Sequence, residues 1–287
     1  MFWQGRRESD NVEDRRGVSG KGIATGGGLI AVVVIVAKLL FGGGITSQDL
    51  QSLMPGQQGA QTELSPQQKT QQDERAHFVK VVLADIEDVW VEIFSKSGET
   101  YPKPTLVLFS GATQSGCGTA DSQTGPFYCP GDQKLYIDLA FYSEMRERFG
   151  ATAGDFAQAY VIAHEIGHHI QNLMGTAGKV DNLRGQLSEA DYNKYSVCLE
   201  LQADFYAGVW GHYMQGKGYI EKGDIEDALN AANVIGDDHL QKQAQGYVTP
   251  ESFTHGTSEQ RMFWFKKGFD SGDLSQGDTF KTYGLRL

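Results

Sequence analysis

This 287-residue chain predicts an α+β domain, mostly helix with a small sheet, behind one N-terminal transmembrane helix. Three observations carry that expectation. An apolar run from Ile23 to Phe41 contains a single charge, Lys38. Beyond it, apolar residues recur at helical spacing through most of the chain. Only between Tyr101 and Asp138 does the pattern shorten to strand-like stretches bounded by glycine and proline.

Residues 1–22 are polar, with Arg6, Arg7, Arg15, Arg16 and Lys21 set against Glu8, Asp10, Glu13 and Asp14. As a helix, residues 23–41 rise about 1.5 Å each and nearly span a hydrocarbon core of about 30 Å. Lys38 is close enough to the end of the run for its stem to reach the interface. A cleaved signal peptide is the competing reading, but the polar lead is too long and no A-x-A-like site follows. Basic residues before the run put 1–22 in the cytoplasm. The rest then lies on the periplasmic or extracellular side of the cytoplasmic (inner) membrane, as a single-pass protein. Residues 42–72, rich in Gln, Ser, Thr, Gly and Pro, read as a flexible linker, and 73–287 as one folded domain.

Lys plus Arg total 25 against 36 Asp plus Glu, a net charge of −11 that repels polyanions and excludes a nucleic-acid partner. Three cysteines are too few for a disulfide-rich miniprotein or a multi-cysteine zinc module. Cys117 and Cys129 lie in GCGTADSQTGPFYCP, where a short disulfide loop is easy and an external location permits it. Two unpaired loop thiols are the alternative. Cys198, among apolar residues, reads as a buried free thiol.

Within the domain, Phe78, Val82, Ile86, Val89, Trp90 and Ile93 mark a helix over 73–95. TLVLF and KLYID read as short strands flanking the cysteine loop. Helices follow at 140–149, 154–174, 188–215, 222–235 and about 258–269. The helix at 154–174 carries His164-Glu165-x-x-His168. Residues four apart share a helix face, so both imidazoles can reach one metal ion, while Glu165 faces a water beside it. The alternative is a polar stripe exposed to solvent. Val161, Ile162, Ile166 and Ile170 surround the motif, and half-buried imidazoles need partners that a metal provides.

Two histidines make half a site. Gln171 and Met174 stand where a metzincin-type segment would have its further histidine and glycine. The following helix offers Glu200 as a third ligand and Asp204 one turn later as a hydrogen-bond acceptor for His164. A surface carboxylate is the plain reading of Glu200, though Leu199, Leu201, Ala203 and Phe205 surround it. Three ligands leave a fourth place open, as hydrolytic zinc requires.

HEIGHH with ELQAD, GCG…GPFYCP with LYIDL, FTHGTSEQR and the opening WQGRRESDNVEDRRG together resemble the bacterial neutral zinc metallopeptidases of the YpfJ type, membrane-anchored relatives of the gluzincin proteases. The resemblance runs along almost the whole chain. It implies a zincin-like fold and hydrolysis of peptides or proteins, with one Zn2+ per chain on His164, His168 and Glu200 and with Glu165 as the base. It implies no particular substrate.

His255, on a glycine-containing loop before a helix, reads either as a donor to the oxyanion of a peptide carbonyl under attack or as a locally packed histidine. Glu259 and Arg261 read as helix-start and ion-pair residues. His169 points about a quarter-turn from His168 and is a poor ligand. His77, His212 and His239 have no partner pattern. Residues 135–139 are the candidate for the edge strand that aligns a substrate backbone in gluzincins, a plain core strand being the alternative. Two rival functions remain: a catalytically silent envelope adaptor with structural zinc, and an acidic, tethered binding module that recruits envelope partners and is indifferent to chelation.

Overall fold

The computed structural model describes residues 1–17, 66–121, 124–143 and 154–287. The chain divides into two compact units, Met1–Arg16 with Asp73–Leu287 in one and Gly17–Gln72 in the other. The first unit has the α+β character expected, mostly helical with small sheets. Among the described residues no helix is long and apolar enough to cross a membrane. The Ile23–Phe41 run, most of the 42–72 linker and most of the helix expected at 140–149 lie outside the described residues.

Four strands form one sheet in the order β1-β2-β6-β5: β1 (Val12–Asp14), β2 (Thr105–Phe109), β5 (Phe127–Cys129) and β6 (Lys134–Asp138). β1, β2 and β6 run parallel, with Val12 opposite Leu106 and Val107 opposite Tyr136; β5 closes the sheet antiparallel, with Tyr128 opposite Leu135. A separate hairpin, β3 (Ala112–Ser115) with β4 (Gly118–Asp121), occupies the cysteine loop. LYIDL is therefore interior, and the edge strand near the motif is β5. The alternation of KLYID cannot distinguish the two, because a strand pairs through its backbone.

The expectation of a separate N-terminal segment at 1–22 is corrected for residues 1–16, while 18–22 lie outside the described residues. Residues 1–16 form a strap built into the domain, and β1 is hydrogen-bonded to β2. A strand in a ladder lies on the same side of any membrane as its partner, so 1–16 and 73–287 cannot face opposite compartments. The strap's polar sequence is accounted for by its partners. Arg6 pairs with Asp85 and Arg7 with Asp88, while Ser9 and Asn11 donate to Glu87. Trp3 is buried against Phe78 and donates to Asp155 at 2.8 Å. Arg16 meets Asp73 at 3.3 Å, so the chain leaves and re-enters this unit at neighbouring points.

Helix α1 (Pro66–Lys96) starts seven residues before the expected boundary at Asp73. Proline is well suited to a first helical turn, where its missing N–H has no intrahelical partner. Its predicted apolar stripe is buried. The other helices are α2 (Asp155–Leu173), α3 (Thr176–Asp181), α4 (Glu189–Gly216), α5 (Asp224–Val234), α6 (Asp237–Gln245), α7 (Ser258–Ser271) and α8 (Thr279–Thr282). α4 packs most extensively on α7, and two glycines permit it. A Cβ on Gly208 would lie 2.0 Å from the Phe265 carbonyl oxygen, and one on Gly268 would lie 2.1 Å from that of Phe205. Cys198 is buried and free, and Cys117 is bonded to Cys129.

Candidate metal centre

Helices α2 and α4 meet at Gly167, within HEIGHH. A Cβ there would stand 2.8 Å from the Cα of Ala203, so only glycine lets the backbones approach this closely. The approach brings two turns of α2 against two turns of α4. Glu200 Oε2 lies 3.2 Å from His164 Nε2 and 3.6 Å from His168 Nε2. One ligand atom from each of His164, His168 and Glu200 falls within 4.8 Å of the others, a grouping that can hold a metal ion.

The other nitrogen of each imidazole already has a partner. His164 Nδ1 is 2.7 Å from Asp204 Oδ1, the contact the sequence spacing suggests. His168 Nδ1 is 3.0 Å from the side-chain oxygen of Gln171, whose amide nitrogen donates to the Leu199 carbonyl. With both Nδ1 atoms as donors, both Nε2 lone pairs converge beside Glu200. Gln171, noted in the sequence only as a departure from the metzincin pattern, thus orients a candidate ligand from the same helix.

Asp204 is wholly buried and central. It accepts from Tyr160 Oη at 2.6 Å, and from Arg261 through Nε at 2.9 Å and Nη2 at 3.0 Å. Burial opposes its charge, but Arg261 and His164 outweigh burial and hold its pKa near 2. On His164, burial again works against charge, while Asp204 and Glu200 raise the pKa to about 9. Glu200 is held well below the usual carboxylate range, since the two histidines overcome its desolvation. Arg261 reaches this point from the first turn of α7, which Thr257 and Gln260 fix through a reciprocal capping box. Sequence gave it an ion-pair role without a partner.

Glu165 points the other way. Its Oε2 accepts the backbone N–H of Tyr128 on β5 at 2.9 Å. It is buried, and desolvation raises its pKa despite the nearby histidines. Tyr128 is also held by its side chain: Asn172 Nδ2 donates to the phenol oxygen at 3.1 Å, and His169 Nδ1 lies 3.1 Å from it. His169 is no metal ligand, being buried with Nε2 on the Pro102 carbonyl at 2.7 Å.

A cleft of about 600 Å³ opens over these groups, walled by Phe127, Phe141, Leu199 and Leu240. His255 lines it with its side chain half exposed. Asp237, at the start of α6, accepts the backbone N–H groups of Thr254, His255 and Gly256, and its other oxygen sits 3.2 Å from His255 Nδ1. Those contacts hold the loop, and the hydrogen bond that His255 donates to Asp237, with the Glu200 charge, raises the His255 pKa against burial. Nothing local in the sequence pairs Asp237 with a histidine eighteen residues on. Of the remaining histidines, His77 sits against Glu8 at the surface, and His212 donates to the Phe269 carbonyl.

The chain is 52% identical over 289 residues to the uncharacterized protein YpfJ of Escherichia coli strain K12, covering 98% of this chain and 99% of that one. It is 44% identical over 195 residues to the uncharacterized protein Rv2575 of Mycobacterium tuberculosis strain H37Rv, covering 64% and 65% of the two chains. No solved structure matches. Residues 1–280, strap and metal centre together, match one family model, and the chain belongs to that family, described as "Putative neutral zinc metallopeptidase".

Proposed function

We propose that this protein is a zinc-dependent endopeptidase, and the observation that carries the reading is the convergence of His164, His168 and Glu200 at the floor of an open cleft beside Glu165. Two imidazole nitrogens and a carboxylate oxygen suit Zn2+, and each histidine is oriented by its own hydrogen-bond acceptor. Bound there, zinc supplies Lewis acidity, lowering the pKa of water to about 7 and polarising a carbonyl. Glu165 takes the proton of the attacking water on a carboxylate oxygen and passes it to the leaving amine. Tyr128 N–H fixes the other oxygen, so the carboxylate reacts in one orientation. His255, aligned by Asp237, donates to the oxyanion of the tetrahedral intermediate. Arg261 stays on Asp204 and keeps His164 in one tautomer.

Membrane association through Ile23–Phe41 is part of the proposal, with the domain and its strap together on the external side. The Cys117–Cys129 disulfide supports that compartment.

Metal stoichiometry and hydrolysis of an unstructured protein test the reading together. Wild type should hold one zinc per chain and lose activity to a chelator. Glu200→Ala should lose most of the metal. Glu165→Gln should keep it and lose hydrolysis by about 10²-fold or more. A metal-loaded Glu165→Gln protein that still cleaves would remove the general base, and an absence of zinc after reloading would remove the enzyme.

A further inference from the structure

The motif helix carries two working faces. His164 and His168 lie on one; Glu165, His169 and Asn172, at spacings of four and three residues, lie on the next. All three residues of the second face end on a single residue of the edge strand. Glu165 takes the backbone N–H of Tyr128, while Asn172 and His169 take its phenol. The Pro102 carbonyl accepts from His169 Nε2, which leaves Nδ1 as an acceptor. The tyrosine hydroxyl therefore donates to His169 and accepts from Asn172, using both capacities in fixed directions. On its other flank, Tyr128 is followed by Cys129, wholly buried and bonded to Cys117.

We propose that His169 and Asn172 are positioning residues, which lock the Tyr128 side chain so that its backbone N–H aims the Glu165 carboxylate. The metal ligands are not involved, so the lock acts on the base and leaves metal affinity alone. It also sets the height of β5 above the motif helix, hence the place a substrate backbone would occupy along that edge. This rests on the peptidase reading for its kinetic consequence, but the mechanical coupling from Asn172 to the Tyr128 amide does not.

The kinetic test uses the full chain and three variants. Tyr128→Phe keeps the ring and the backbone N–H and removes only the hydroxyl. Asn172→Ala removes one of its partners, and the double variant combines them. Misplacing a catalytic group by about 1 Å can cost about 10²-fold, so kcat should fall about 10- to 100-fold in Tyr128→Phe with KM within about twofold. Zinc should remain at one per chain. Asn172→Ala should fall less, and the double variant should match Tyr128→Phe, because Asn172 acts through the hydroxyl that is already gone. Multiplying effects, or an unchanged kcat in Tyr128→Phe, would overturn the proposal.

A second readout does not need turnover. Hydrogen exchange at the Tyr128 amide should speed up in Asn172→Ala and His169→Gln, with the amides of β6 unchanged. Unchanged exchange at Tyr128 would overturn the proposal even if activity falls. Faster exchange in a protein whose wild type cleaves nothing would uphold the coupling and sink the peptidase reading instead.

Discussion

Arg261 meets Asp204 with both side chains shut from water, at 3% and 0% exposure, whereas Arg7 meets Asp88 at 50% and 54%. The first pair belongs to a buried group with Tyr160 and His164, in which every member depends on the others. The second belongs to the strap, whose exposed ion pairs can exchange with water and salt. Desolvation makes the buried pair costly to break and fixes its geometry. Screening makes the exposed pair nearly neutral in energy. The strap is held instead by the β1–β2 ladder and by buried Met1 and Trp3. The buried group beside the candidate metal centre thus uses charge to fix geometry, while the strap's charges mainly keep its polar residues satisfied.

The contrast is sharpest in Arg261→Ala, which strands Asp204 in the core. A loss of about 3–5 kcal/mol in denaturant unfolding is expected, and less for the Arg261→Ala, Asp204→Ala pair than for the two singles added. A loss below about 1 kcal/mol would erase the distinction between the regions. Gly208→Ala tests the frame beneath the centre, since the new methyl meets the Phe265 carbonyl. It should cost about 1–3 kcal/mol by overpacking in thermal melts, and it should weaken zinc binding by shifting α4. Arg7→Ala should cost under about 1 kcal/mol, with the wild-type difference fading in high salt.

The smallest effect is a pH dependence of the strap. Hydrogen bonds from Arg15, then Lys134, lower the Glu13 pKa from 4.5 to about 2. A lowered folded pKa stabilises above the unfolded value, so the contribution is full above about pH 4.5 and is lost as pH falls toward 2. Corrected for the intrinsic pH dependence of exchange, the protection of the β1 amides should fall across that window in wild type and much less in Glu13→Gln.

Much of the centre is legible in sequence because its spacing is helical. His164 and His168 share a face of one helix, and Glu200 and Asp204 lie one turn apart on another, so local period alone groups them. The disulfide is visible for the same reason of proximity. Tyr128 escapes because its contribution to Glu165 is a backbone N–H, which no residue type announces. Asp237 escapes because its partners are the backbone of a later loop. The strap is misread for a third reason: Val12–Asp14 is a three-residue, half-exposed strand, and parallel pairing with a distant segment leaves no local pattern. Its charges then look like a cytoplasmic tail, although Arg6, Arg7 and Glu13 pair with Asp85, Asp88 and Lys134 of the domain.

The strap's place in the sheet has a consequence for how the protein is made. β1 is the first strand synthesised, yet its partner follows roughly 90 residues later, so it waits unpaired while α1 is produced. Once docked, it is joined to the rest by a closed loop whose entropy changes slowly with length, about 0.6 kcal/mol per doubling. The connection between Arg16 and Pro66 can therefore change length at little thermodynamic cost. Cutting it is different: a chain nicked within 18–65 would hold its first strand only by an association between two pieces, and would lose it on dilution.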